Sequence, residues 1–299
     1  MRKSHSLGDK VFDIVNYTML IVLVIVTLYP FLNTIAVSLN NAQDSIRGGI
    51  YLWPREFTWA NYKYIFSDNN IINASVISVL RTVIGTVVTV LASAMVAYAI
   101  SREHFVLRKF VTIAFILTMY INAGLIPNYL LIRDLGLIGS FWVYILPGVI
   151  GVFNLIIIRS FIENLPDGII ESAKIDGAGD FRAFISIVLP LSAPVLATVA
   201  LFSGVGQWNS WFDVFLYNSS HIDLSTLQYE LQKILASSST VSQKTAADAF
   251  ANVNNSASMV MPTSIRAAMT MIASIPIILV YPFLQKYFVK GMMVGGVKG

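Results

Sequence analysis

The chain has 299 residues, 56% hydrophobic and only 12% charged, with a formal net charge of +4. Soluble domains carry about a quarter charged residues, so an ordinary water-soluble globule is excluded. A nucleic-acid binder is excluded too, because the Lys and Arg are scattered among apolar segments and form no basic stripe.

A helix crossing about 30 Å of hydrocarbon needs roughly 20 predominantly apolar residues. Six segments meet that requirement, at about 13–38, 72–100, 110–132, 141–162, 190–215 and 264–288. The expected fold is therefore an all-α integral membrane protein with six transmembrane helices, one domain over residues 1–299. The first segment follows Arg2, Lys3 and Lys10, as a signal peptide would, but its apolar run is too long and no small-residue cleavage site follows, so it reads as a retained span. Residues 39–71 form a first long loop with Gly48-Gly49, Trp53-Pro54, Trp59, Tyr62 and Tyr64. These aromatics suit an interfacial belt or a docking surface.

The second span holds Arg81, the one clear charge inside a span. An intramembrane charge must face protein or water and find a partner. Two readings stay open. Arg81 lines a solute path, its planar fork donating paired hydrogen bonds to a carboxylate or to sugar hydroxyls, or it forms a structural ion pair or snorkels outward. Gly85, Ala92, Ala94 and Ala97 in the same span are packing residues that let helices approach closely. The third and fourth spans contribute Asn122 and Asn154, and the fifth Gln207, Trp208, Asn209 and Trp211. Amides with aromatic faces suit sugars, so these six join Arg81 as candidates for a translocation path. Interhelical hydrogen bonding and interfacial anchoring explain each of them equally well. Pro127, Pro147, Pro276 and Pro282 would kink their spans. The loop 216–263 is Ser-, Asn- and Ala-rich, with a short amphipathic helix expected at 224–235 and a flexible excursion at 237–258. No cysteine and no cluster among His5, His104 and His221 leaves neither a disulfide nor a metal site to assign.

Lys and Arg in the connections set the orientation. With six spans both termini share a side, which holds Arg2, Lys3, Lys10, Arg102, Arg108, Lys109, Arg159, Lys174, Arg182, Lys286, Lys290 and Lys298. The other side holds only Arg47, Arg55, Lys63, Arg133, Lys233, Lys244 and Arg266. Both termini and the loop 163–190 are therefore expected in the cytoplasm.

That loop has its own shape. Asn164-Leu165-Pro166-Asp167 reads as a helix start, with a capping residue and Pro in the first turn. Ile169, Ile170, Ala173 and Ile175 supply apolar surface. Gly177 and Gly179 stop the helix. Asp180 then caps a second helix carrying Phe181, Phe184, Ile185 and Val188. A short helix, a turn and a second helix on the membrane face make a small knob that a partner's cleft could hold.

The run Glu171-Ser172-Ala173, then Asp176-Gly177-Ala178, followed by Ile187-Val188-Leu189-Pro190, resembles the EAA motif of ABC importer permeases, with Ser172 where Ala is usual. Gln207-Trp208-Asn209-Ser210-Trp211 and the tail from Gln285 to Gly299 resemble sugar-importing permeases related to the maltose system. Residues 49–66 resemble a subgroup of polysaccharide or aldouronate permeases. The resemblance covers nearly the whole chain. It implies a type I ABC importer permease in the bacterial cytoplasmic membrane, with Glu171, Ser172, Ala173, Asp176, Gly177, Ala178, Leu189 and Pro190 coupling to an ATPase. The implied partners are a second, homologous permease in a heterodimer, two ATPase subunits that hold ATP and Mg, and an extracytoplasmic solute-binding lipoprotein delivering an oligosaccharide. No cofactor of its own and no nucleic acid is implied.

Enzymes are disfavoured because no P-loop, G-x-S-x-G, H-E-x-x-H or paired intramembrane carboxylate is present. An ion-coupled secondary transporter usually needs acidic mid-membrane sites, and spans two to five are read as offering no buried Asp or Glu. A non-transporting scaffold would leave the 163–190 loop without a purpose.

Overall fold

The computed structural model describes residues 7–236 and 262–296; the expected excursion at 237–258 lies outside the described residues. All regular structure among the described residues is helical, apart from one isolated bridge between Asn40 and Phe57. The described residues form two compact units, 7–68 with 233–236 and 262–274, and 69–232 with 275–296.

In the first unit, α1 (Leu7–Ser38) is a helix of 32 residues. Its large apolar side chains are exposed along nearly its whole length, Phe12 at 69% and Met19 at 72% among them. Such a surface is stable in lipid or against another protein, not in water. Two short helices follow, α2 (Ala42–Ile46) and α3 (Ala60–Ser67). Asn40 and Asn61 fasten them to the end of α1: the Asn61 amide donates to the Ser38 and Asn40 carbonyls (2.9 and 3.0 Å). The Asn40 amide donates to Asp44 (2.9 Å), and Arg55 Nε donates to the same carboxylate (2.9 Å). Asparagine hydrogen bonding thus lowers the Asp44 carboxyl below its usual range, with the Arg55 bond and charge adding to it. Trp53, Tyr51 and Trp59 stay exposed.

The second unit is organised around α4 (Asn69–Ser101), 33 residues and about 50 Å long at 1.5 Å per residue. Its buried positions, Ala74, Ser78, Arg81, Gly85, Thr89, Ser93 and Ala97, recur every three or four residues and are mostly small. Two further helices, α7 (Val152–Glu163) and α11 (Ala193–Asn209), pack against this stripe. A Cβ built on Gly85 would lie 2.9 Å from the Gln207 side chain, and one on Gly204 3.3 Å from Thr86 Oγ1, so the α4–α11 approach depends on these glycines. Ala94 and Ala97 are buried as expected.

Between α4 and α7 the chain breaks repeatedly. The segment expected as the third span is two helices, α5 (Arg108–Tyr120) and α6 (Leu125–Asp134), of 13 and 10 residues. They part at Gly124, which has φ +89°, and the Asn122 side chain accepts the Gly124 N–H (2.9 Å). The expected fourth span consists of two 3₁₀ turns, Phe141–Tyr144 and Leu146–Gly148, bent by 52° from α7. The fifth is bent by 80° between residues 180–191 and α11, and stops at Ser210 before α12 (Phe212–Tyr217). Helix α13, residues 227–236, falls close to the amphipathic segment expected there, with Leu227 and Leu231 buried. The last described helix, α14 (Pro262–Gly296), contains Pro276 and Pro282. Among the described residues three helices, Lys10–Ser38, Asn69–Ser101 and Thr263–Val280, are individually long and apolar enough to cross a membrane, and the two bent pairs raise that to five.

Candidate coupling helix and translocation cleft

Residues 164–191 form the expected helix, turn and helix, with different local chemistry. Asn164 closes α7 instead of opening the next helix: its amide donates to the Ser160 carbonyl (2.6 Å). Pro166 occupies the N-cap of α8 (Asp167–Ile175). The helix ends because Gly177 turns left-handed at φ +84°, with Gly177 N–H donating to the Lys174 carbonyl (3.0 Å) and Ala178 N–H to the Ala173 carbonyl (2.9 Å). That pair of bonds is the Schellman closure, which an L-residue can form only at a conformational cost. Gly179 has an ordinary φ of −69° and is the N-cap of α9 (Asp180–Ala183), so the expected helix stop at Gly179 and side-chain cap by Asp180 are both corrected. Asp180 instead pairs with Lys174 across the turn (2.9 Å). Hydrogen bonding to Asp180 raises the Lys174 ammonium above its ordinary value.

One face of this hairpin is built into the protein and the other is bare. Ile170, Ala173, Ala183, Phe184 and Val188 are buried, and Ile170, Phe184 and Val188 belong to a core with Ala94, Ala97 and Tyr98 of α4 and Leu155 and Ile158 of α7. Residues Phe184–Val188 run as a π-helical turn leading to α10 (Leu189–Leu191), which begins with Leu189 and Pro190. Glu171, Ser172, Asp176 and Ile175 are exposed, Ile175 at 86%. Of the apolar residues expected on the loop, Ile169, Ile175, Phe181 and Ile185 are therefore exposed. The hairpin cannot tilt freely on α4 and α7, because its buried face is part of their core. Its exposed side mixes charge with large apolar side chains, chiefly Ile175 and Phe181 at 67%.

The second candidate site lies where α4, the 3₁₀ turns, α7 and α11 meet, at a cleft of about 340 Å³. It falls in the range of about 300–1,000 Å³ usual for small-molecule sites. Arg81, Asn154 and Gln207, all expected from the sequence, line it together with Tyr144, Ser203, Asp213 and Tyr217. The remaining expected residues do not. Asn122 is exposed at the α5–α6 break. Trp208 is buried. Asn209 accepts from the Gln228 amide (3.2 Å), and Trp211 packs edge-on against Phe212 (5.7 Å between rings).

Arg81, its side chain 3% exposed, is held from several directions. Nε donates to Gln207 Oε1 (2.9 Å), and Nη1 donates to Asp213 Oδ1 (3.1 Å) and the Ser210 carbonyl (3.3 Å). Nη2 donates to Asp213 Oδ2, closing a two-pronged ion pair. The guanidinium also lies 4.6 Å from the centre of the Tyr144 ring. Asn154 donates to Ser203 Oγ (3.2 Å), and Gln207 donates to the Tyr144 carbonyl (3.3 Å). The Tyr144 hydroxyl bridges Asn218, which donates to it (2.8 Å), and the Leu224 carbonyl, to which it donates (2.6 Å). Asp213, its side chain 21% exposed, is an acid inside the expected fifth span that the reading of spans two to five passed over. It sits inside the apolar run 190–215, and that position was the available signal.

Residues 89–294 match the family described as the binding-protein-dependent transport system inner membrane component. The chain belongs to this family. The permease is 36% identical, over 97% of its own length and 99% of the relative's, to the polygalacturonan/rhamnogalacturonan transport system permease protein YtcP of Bacillus subtilis (strain 168). It is 38% identical to protein LplC of the same organism, over 99% and 97% of the two chains. A solved bacterial ABC transporter involved in the import of the acidic polysaccharide alginate contains a chain that superposes on the permease with a TM-score of 0.84, at 28% identity, covering 95% of this chain and 99% of that one. The expected ABC permease is thus established as a membrane component of an importer whose family is not catalytic, and no group of side chains suited to a metal is present among the described residues.

Proposed function

We propose that this permease carries an oligosaccharide across the bacterial cytoplasmic membrane, delivered by an extracytoplasmic solute-binding lipoprotein, as one half of a heterodimer with a second, homologous permease. Near-full-length likeness to permeases named for polygalacturonan/rhamnogalacturonan, arabinooligosaccharides and galactooligosaccharides carries the reading, and saccharides of acidic polysaccharides are the first class to test. Two ATPase subunits bind ATP and Mg and supply the work. The chain crosses the membrane six times, the broken α5–α6 pair and the two bent pairs serving as the third to fifth spans, with both termini and the loop 163–190 in the cytoplasm.

In this reading the exposed tip of the α8–α9 hairpin, with Glu171, Ser172, Ile175 and Asp176, docks on an ATPase. Its buried face passes the ATPase closure to α4 and α7 as rigid-body movement, which opens the cleft around Asn154, Ser203 and Gln207 to one side and then the other. Gly177→Pro tests this. It removes the N–H that bonds the Lys174 carbonyl and fixes φ near −65° where +84° is needed. The complex is expected to assemble and to hydrolyse ATP, while uptake falls at least about tenfold, a loss of coupling of roughly 1.4 kcal/mol. Wild-type uptake by an assembled Gly177→Pro importer would remove the coupling role. Ion-driven transport and a scaffold role are met by the same assay, since uptake into vesicles should require internal ATP and tolerate a collapsed proton gradient.

A further inference from the structure

Arg81 is held by its own chain through four of its five N–H donors, and this changes what the cleft offers to a solute. Its acceptors lie on both sides of the helix break at Ser210: Gln207 belongs to α11, Asp213 to α12, and the Ser210 carbonyl is the break itself. The Val214 N–H, which in an unbroken helix would reach the Ser210 carbonyl, goes instead to Asp213 Oδ1 (2.9 Å). Arg81 Nη1 supplies the donor that this carbonyl lost. In a membrane, backbone groups freed by a broken helix must be satisfied in this way.

We infer that Arg81 is a positioning residue and not a solute receptor. Locked to Asp213, it holds the α11–α12 break in shape, and the cleft meets its solute through the uncharged groups of Asn154, Ser203 and Tyr217. The ligand class at this site is a hydroxyl-rich, uncharged stretch of saccharide; the carboxylates of an acidic oligosaccharide face other parts of the importer. A solute carboxylate reaches Arg81 only by displacing Asp213, which is tethered in place and therefore present at a far higher effective concentration. This assignment rests on reading the cleft as the solute path.

The absence of cysteine allows a direct test, because Ser203→Cys puts a lone thiol of this subunit into the cleft. The complete importer is labelled in proteoliposomes with a positively and a negatively charged methanethiosulfonate, each rate normalised to a free thiol. With the pair intact, the two rates should agree within about threefold. Asp213→Asn, which leaves the guanidinium unpaired, should favour the anionic reagent by about tenfold, and adding Arg81→Gln should restore parity. A tenfold anionic preference with both residues intact, or no change on Asp213→Asn, overturns the locked pair. Failure of the double variant to assemble leaves these two measurements to decide it. Neutral and acidic oligosaccharides of equal length should protect the introduced thiol at similar concentrations. Tenfold better protection by the acidic one that disappears in the Asp213→Asn, Arg81→Gln double variant overturns the ligand class, whereas protection by neither overturns the path reading and leaves the labelling rates to judge Arg81 separately.

Discussion

At the scale of single residues, the cleft depends on one missing side chain as much as on the polar ones present. Gly85 is where α4 lets Gln207 lie flat against the helix, so that its amide can accept from Arg81 and donate to the Tyr144 carbonyl. A flexible glutamine could normally swing away from an added methyl. Here both ends of its amide are held, so the overlap at 2.9 Å has no easy relief. Gly85→Ala is expected to destabilise the permease by about 1–3 kcal/mol, the usual range for overpacking. A thermal melt of the solubilised complex checks this. A melting temperature equal to wild type would show that Gln207 is not fixed as described.

The acidic residue Asp44 works in the same local manner but outside the spans. Its carboxylate is held by Asn40 and Arg55 and its pKa is depressed, so the stability it gives the loop is present above the ordinary carboxylate value near 3.9 and is lost as pH falls through the lower folded value. Hydrogen exchange of residues 40–56 should therefore be flat from pH 8 to 5, after correction for intrinsic rates, and should rise only below about pH 4. Opening between pH 7 and 5 would contradict the knot. In Asp44→Asn the loop should exchange faster throughout.

At the scale of elements, the two candidate sites use opposite devices. The α8–α9 hairpin gains rigidity by burying one face in the α4–α7 core, and its shape needs only local rules: Pro166 at the start, the left-handed Gly177 at the turn, the Lys174–Asp180 pair across it. The cleft instead is assembled from interrupted elements, namely 3₁₀ turns at 141–148, a bend at Ser192 and a stop at Ser210. At two of these interruptions a side chain from another element answers a freed carbonyl: Arg81 donates to that of Ser210 and Gln207 to that of Tyr144. This is why the hairpin was legible from the sequence and the cleft was legible only in part. Gly177 announces its turn by residue type alone. Asp213 and Tyr144 acquire their roles from Arg81, which is 132 residues away from the first in sequence.

For the whole molecule, the exposed apolar surface of α1 and the lengths of α4 and α14 require a membrane or protein surroundings. Orientation can be tested independently of transport, since the chain has no cysteine of its own. A single cysteine in place of Asp176 should react with a membrane-impermeant thiol reagent only in inverted vesicles, and one in place of Glu56 only in right-side-out cells. The reverse pattern would invert the topology and take the hairpin out of reach of any ATPase.

By itself the sequence determined the helical membrane class and the helix-turn-helix shape of residues 164–191, because those follow from hydrophobic length and from the conformational limits of Pro and Gly, which act over a few residues. The tertiary structure decided where spans break and which polar groups meet. Among Asn122, Trp208, Asn209 and Trp211, none lines the cleft, while Asp213, Ser203, Tyr144 and Tyr217 do. Pairing of buried polar groups is a non-local condition, met by whichever side chain the helix packing brings within hydrogen-bond reach. It turned Arg81 from an open choice between solute contact and ion pair into a residue already bound to Asp213.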